Sequence, residues 1–383
     1  VPLHVTTVGS VTTATLNTLS ATATGSPSVY CGMNGATPAS GGSCTVSAAS
    51  SGLLFNVLNH ASETAQSVTV SAVNSSDAAV CTPAFASVAR NVTFKCSYTN
   101  PTTVSPTAPK PVRVADATTN VYHALNAGNS TGAACDGSGR SVALNFNASG
   151  VATAKFMYAD VGQMGLTATY TGGAGTNDTG LTMTGSDSFI AAPASFSMSG
   201  VTAAPIKAGE SFAVTVTALN SAGEAATNFG RETAAETVRL THTKYRPSGG
   251  VAGSFTGTGV SPAAALGGFS AGAATADNLQ WTEVGLLDLT AALTSASYLG
   301  SGLSASGTTG STGAVGPVTP HHFDVAVTQG CGASFTYSGQ PFGVTVTARN
   351  AANATTQNYA GSGTVVAAPL LSVYPQGVSL SAV

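Results

Sequence analysis

The feature that most constrains this chain is an internal repeat. Gly209-Glu-Ser-Phe212-Ala-Val-Thr-Val-Thr-Ala-Leu-Asn220 recurs without gaps, at an offset of 130 residues, as Gly339-Gln-Pro-Phe342-Gly-Val-Thr-Val-Thr-Ala-Arg-Asn350. The match runs on to Asn228-Phe229 and Asn358-Tyr359. Val68-Thr-Val-Ser-Ala-Val-Asn74 is a third copy, 146 residues before the one at Val214. In each copy apolar and hydroxylated residues alternate. Phe212, Val214 and Val216 fall on one face, as do Phe342, Val344 and Val346, and as do Val68 and Val70. A period of two is the signature of a half-buried strand. Asn220 then opens a turn, where Gly223 and its counterpart Asn353 both tolerate positive φ.

A second motif follows in each unit. Tyr158-Ala-Asp160-Val-Gly162 precedes Leu166-Thr-Ala168, and Trp281-Thr-Glu283-Val-Gly285 precedes Leu289-Thr-Ala291. The order is aromatic, acid, glycine, then a new apolar strand. The aromatic is expected to anchor the core, the carboxylate to cap N–H groups of its own turn, and the glycine to take the strained φ. Such a corner lies between late strands of immunoglobulin-like domains.

These motifs predict an all-β chain of tandem immunoglobulin-like β-sandwiches with partial units at both ends. Residues 1–52 read as the closing half of an upstream unit, 53–192 and 193–317 as whole sandwiches, and 318–383 as the opening half of a further one. Aromatic residues Phe55, Phe196 and Phe323 are expected in the opening strand of each unit.

Composition agrees. Charged residues make up 7% of 383, against about 25% in ordinary soluble domains. No apolar run approaches the roughly 20 residues that a spanning helix needs, so no transmembrane segment is expected. The few basic residues are scattered, which leaves nothing to neutralise a phosphate backbone and excludes nucleic acid as a partner. The chain begins at Val1 rather than Met, which reads as a mature or excerpted protein.

Six cysteines, Cys31, Cys44, Cys81, Cys96, Cys135 and Cys331, lack zinc-site spacing. They read as disulfides in an oxidising compartment. Cys31 with Cys44 and Cys81 with Cys96 close short loops, and Cys96 with Cys135 is the rival pairing.

Pro320-His-His-Phe323-Asp-Val, Gln329-Gly-Cys331-Gly and Phe335-Thr-Tyr337-Ser-Gly-Gln-Pro-Phe342 resemble the C-terminal region of MshQ-like proteins. So do Cys81-Thr-Pro-Ala-Phe, Phe94-Lys-Cys96-Ser-Tyr-Thr-Asn-Pro101 and Asp187-Ser-Phe-Ile-Ala-Ala-Pro193. That family is named after a biogenesis protein of a type IV pilus. It usually has an acidic residue where His321 stands. The resemblance implies a large protein of Gram-negative bacteria, exported through the periplasm to the pili or cell surface. It brings no catalytic residues.

No constellation argues for an enzyme, and no cofactor or metal site is expected. His321 and His322 are adjacent in a strand and should point to opposite faces, which precludes joint chelation. Trp281 aligns with Tyr158 and reads as core rather than as a sugar platform. Two functions remain. One is a structural or adhesive segment whose partners are itself or other surface and pilus subunits, including head-to-tail assembly into a filament by strand complementation. The alternative is a carbohydrate-binding adhesin module with glycans as partners.

Overall fold

The computed structural model describes residues 51–75, 81–332 and 334–359, together with the backbone of four short strands before them. Those strands are β1 (Thr13–Leu16), β2 (Tyr30–Cys31), β3 (Ala39–Ser40) and β4 (Cys44–Ser47). β1 pairs with β4 and β2 with β3, all antiparallel. The remainder of 1–50 lies outside the described residues, as do the side chains of Cys31, Cys44 and Cys81.

The first sandwich is built from β5 (Ser51–Leu54), β6 (His60–Ala61), β7 (Gln66–Ser75), β8 (Cys81–Pro83), β9 (Val88–Asn100), β10 (Val112–Asp116), β11 (His123–Ala124), β12 (Arg140–Phe146), β13 (Val151–Tyr158), β14 (Gly162–Thr171) and β15 (Thr182–Ala192). They run in the order β11-β10-β13-β7-β5-β15-β14-β9-β12, with β6 beside β15 and β8 beside β7. The second sandwich comprises β16 (Ser195–Ser199), β17 (Ile206–Lys207), β18 (Phe212–Leu219), β19 (Val238–Arg246), β20 (Phe255–Thr256), β21 (Ala273–Trp281), β22 (Gly285–Leu293), β23 (Ser306–Thr308) and β24 (Val315–Thr319). One sheet is β16-β18-β21-β20. The other is β17-β24-β22-β19, with β23 beside β22. Last come β25 (His322–Thr328) and β26 (Gly343–Arg349), an antiparallel pair.

The alternating stretches are equivalent strands. Val68, Val70 and Ala72 on β7, and Phe212, Val214, Val216 and Ala218 on β18, are all buried, while Thr215 and Thr217 face outward. Burying such a side chain contributes about 1.5–3 kcal/mol, so the alternation fixes register: a slip of one residue would expose the whole set. β26 keeps the alternation, but Phe342 precedes the strand and is 46% exposed, and Val344 and Val346 are half-buried. Among the described strands, β25 and β26 pair only with each other.

Register corrects one expected equivalence. Phe196 pairs with Ala218 on β18, and Phe323 with Ala348 on β26. In the first sandwich Leu53 pairs with Ala72, the counterpart of Ala218, so Leu53 takes that place. Phe55 lies beyond β5 and packs against Phe94 and Phe156. Two residues along a strand return to the same face, so a pattern of apolar residues cannot separate the two positions.

The cysteine pairing is also corrected. Cys96 on β9 bonds Cys135, not Cys81. Cys135 arrives on the loop between β11 and β12, where its N–H donates to the Tyr98 hydroxyl, 3.0 Å away on the same strand as Cys96. Cys331 is a half-buried free thiol. His321 and His322 do not point apart: their Nδ1 atoms are 2.9 Å from each other, because His321 sits in the bend before β25 begins.

Candidate functional site

The aromatic–acid–glycine corners lead directly to the junctions between sandwiches. Tyr158 ends β13, Gly162 begins β14, and Asp160 lies between them, 1% exposed. Gly162 has φ +133°, and a Cβ there would lie 2.6 Å from the Asn100 carbonyl oxygen. Trp281, Glu283 and Gly285 hold the same places between β21 and β22. Gly285 has φ +131°, and a Cβ would fall 2.0 Å from the Arg246 carbonyl oxygen. Gly285→Ala should therefore destabilise the second sandwich by about 1–3 kcal/mol, read by urea unfolding. An unchanged midpoint would show that the corner does not need glycine.

The carboxylates do not serve mainly as caps of their own turns. Asp160 does accept the Val161 N–H at 2.8 Å. Its other donors come from the loop after β18 in the next sandwich: the Asn228 N–H at 3.0 Å and the Thr227 hydroxyl at 2.7 Å. Glu283 reaches further with its longer side chain. It accepts the N–H groups of Gln357 and Asn358, both at 3.1 Å, from the loop after β26.

The rest of each junction repeats. The Asn220 amide donates to the Ala159 carbonyl at 3.0 Å, and the Asn350 amide to the Thr282 carbonyl at 3.2 Å. The Ser221 N–H donates to the Ser62 carbonyl, as the Ala351 N–H does to that of Ala208. The side-chain oxygen of Asn228 accepts the Ser105 N–H at 2.9 Å, and that of Asn358 accepts the Val251 N–H at 3.0 Å. The Asn228 amide then donates to the buried Tyr158 hydroxyl, whereas that of Asn358 donates to the Val251 carbonyl. Each loop is shaped beforehand by its first asparagine. Asn220 accepts the N–H groups of Ala222 and Glu224, and Asn350 those of Ala352 and Ala354.

Each junction is thus a latch: a loop of form Asn-x7-Asn-aromatic seats in a socket made by the acid corner and backbone of the preceding sandwich. Apolar contact adds to it. Val161, beside Asp160, belongs to the core of the second sandwich, which also holds Phe229. Burial pushes the Asp160 carboxyl above the ordinary carboxylate value, opposed by its bonds to Thr227, Asn228 and Val161. Burial likewise pushes the Tyr158 hydroxyl well up. Every polar group named in the latch is engaged by another, so the arrangement is suited to holding a fixed angle rather than to reacting.

Sequence reasoning marked Asp160 and Glu283 but missed their partners. The second asparagines, Asn228 and Asn358, were visible only as part of the repeat. The socket backbone at Ser62, Ser105, Ala208 and Val251 leaves no sequence signal, because any residue supplies an N–H and a carbonyl. Trp281 is buried, and its indole N–H donates to the Ala252 carbonyl at 2.8 Å, so no face of it is open to a sugar.

Three family models match the chain in succession. Residues 28–186 match the first Ig-like domain of DUF6701, a domain of unknown function. Residues 164–278 match the second domain and 283–377 the third. No curated protein sequence matches. Among solved structures, the chain is similar to the D0-D1 domain of intimin (15% identity, 64% of this chain and 92% of that one, TM-score 0.19). It is also similar to the Escherichia coli adhesin FdeC (12% identity, 80% and 74%, TM-score 0.30). A third is the Yersinia pseudotuberculosis adhesin InvE (14% identity, 68% and 58%, TM-score 0.28).

Proposed function

The chain carries the three successive domains of the DUF6701 family, and we propose that they form a stiff structural spacer on a bacterial surface or pilus. The observation that carries this reading is the latch found twice, between different pairs of units, with equivalent donors and acceptors. An interface built once can be incidental; the same interface built from non-identical residues answers a mechanical requirement. The unit boundaries near residues 192 and 317 belong to this reading.

Export is supported by the Cys96–Cys135 disulfide, since such bonds persist in oxidising compartments. Among the described residues no helix is long and apolar enough to cross a membrane, which leaves strand-built membrane crossing untouched. Protease added to intact cells should cleave the protein. Full protection until the cells are lysed would count against surface display.

Head-to-tail assembly by strand complementation is a finer reading of the same function. It is supported by Phe323, Val325 and Val327 on β25, which stay exposed where the corresponding face of the second sandwich is covered. Completion of this unit by strands of a neighbouring copy would lay a second layer over them. Electron microscopy of purified protein should then show filaments; monodisperse monomers would exclude them. Glycan binding through Trp281 has no support in its burial.

A further inference from the structure

His60 is the one buried histidine among the described residues; the Nδ1 of the half-buried His123 also lacks a hydrogen-bond partner. His60 is 5% exposed, and its ring stacks on Phe189 at 5.0 Å. Its Nδ1 lies 2.8 Å from the Leu58 carbonyl. A carbonyl only accepts, so Nδ1 carries the proton and Nε2 keeps the lone pair. Among the described residues Nε2 has no hydrogen-bond partner. A proton added there would create a buried cation whose new N–H has no acceptor.

The repeat underlines the oddity. At the offset of 146 residues, His60 on β6 corresponds to Ile206 on β17. β6 pairs with β15 through Ala191, and β17 pairs with β24 in the same parallel way. Ile206 is buried in the second core. An ordinary apolar position has therefore become titratable in the first sandwich alone.

Its place matters, because β6 feeds the first latch. Two residues on, Ser62 accepts the Ser221 N–H. The Thr64 and Ser221 hydroxyls are 2.9 Å apart, and Glu63 pairs with Arg113. We propose that His60 is an acid trigger: its protonation at Nε2 displaces β6 and releases the joint between the first and second sandwiches. This rests on the latch reading above.

The surrounding charges do not relieve the cation. On β15, Asp187 is engaged by the Val57 N–H at 2.6 Å. Glu63 is held by Arg113, and Asp160 by Val161, Thr227 and Asn228. Burial lowers the imidazole below its ordinary value of 6.5, against the Leu58 carbonyl, with no charged group acting on it. The folded state therefore binds this proton less readily than the unfolded one. Stability is lost as pH falls below 6.5 toward the lowered value. Asp160 titrates in the opposite sense: burial raises its carboxyl, so its contribution grows as pH falls through the raised value toward 3.8.

Amide hydrogen exchange of the whole chain, corrected for intrinsic rates, tests this. Between about pH 7.5 and about pH 5, protection of the Ser221 and Asn228 amides should fall about tenfold. The Ala351 and Asn358 amides of the second joint should hold. His60→Ile, which installs the residue of the sister repeat, should abolish the fall. An identical fall in His60→Ile would overturn the trigger, as would wild-type protection that does not change with pH. Should the variant misfold, the NMR titration of the His60 ring decides: titration at the ordinary imidazole value contradicts the proposal. Absence of protection at both joints near neutrality would instead remove the latch reading itself.

Discussion

Asp160→Ala should cost the docked first joint about 3–5 kcal/mol, because two buried N–H groups and a partly buried hydroxyl lose their acceptor at once and each such loss costs about 1–3 kcal/mol. Those donors are the N–H groups of Val161 and Asn228 and the Thr227 hydroxyl. The expected signature is loss of coupling between the sandwiches. The single Trp281 reports on the second sandwich alone. In the wild type its fluorescence and the far-ultraviolet circular dichroism should report one urea transition; in the variant the two should separate. Asp160→Asn behaves differently. It keeps one oxygen for the two N–H groups, and the Thr227 hydroxyl can turn to accept from the new amide, so its effect should stay below about 1 kcal/mol. Burial raises the carboxyl, so the aspartate contribution grows only as pH falls through the raised value toward the ordinary carboxylate value of 3.8. Asparagine should flatten that part of the pH profile. Equal losses in the alanine and asparagine variants would refute the acceptor role.

Trp281→Ala should destabilise the second sandwich by about 3–5 kcal/mol, the range for truncating a large buried aromatic. Trp281 is 1% exposed and pairs with Phe255 across β20 and β21. It also stands near His242, with ring centres 6.4 Å apart, and the Ala252 carbonyl that accepts its N–H would be left without that donor. Circular dichroism during urea unfolding measures the loss. The second joint should weaken with it, since the Trp281 carbonyl accepts the Gly209 N–H beside the socket carbonyl of Ala208. A loss below about 1 kcal/mol would place the ring outside the core. Trp281→Tyr, which copies Tyr158, should recover part of the stability.

Sequence pattern alone carried the strands and their inward faces, because a period of two over Phe212–Ala218 has one physical reading. It also carried the burial of Tyr158 and Trp281. It failed where a contact is made by backbone or between distant segments. Asp160 and Glu283 look like turn caps because the corner is local in sequence, while the loops that seat on them come 67 to 75 residues later. Cys81 and Cys96 are closer in sequence than Cys96 and Cys135, yet the β11–β12 loop brings Cys135 to β9. Opposite faces for His321 and His322 would require a continuous strand, and the bend at His321 removes it.

The spacer reading depends on the joints being stiff. Its most direct measurement is pulsed electron paramagnetic resonance between two spin labels, one on an outward threonine of β18 and one on the outer face of β9. One narrow distance distribution, broadened by Asp160→Ala, is the predicted result. A broad distribution in the wild-type chain would contradict the account.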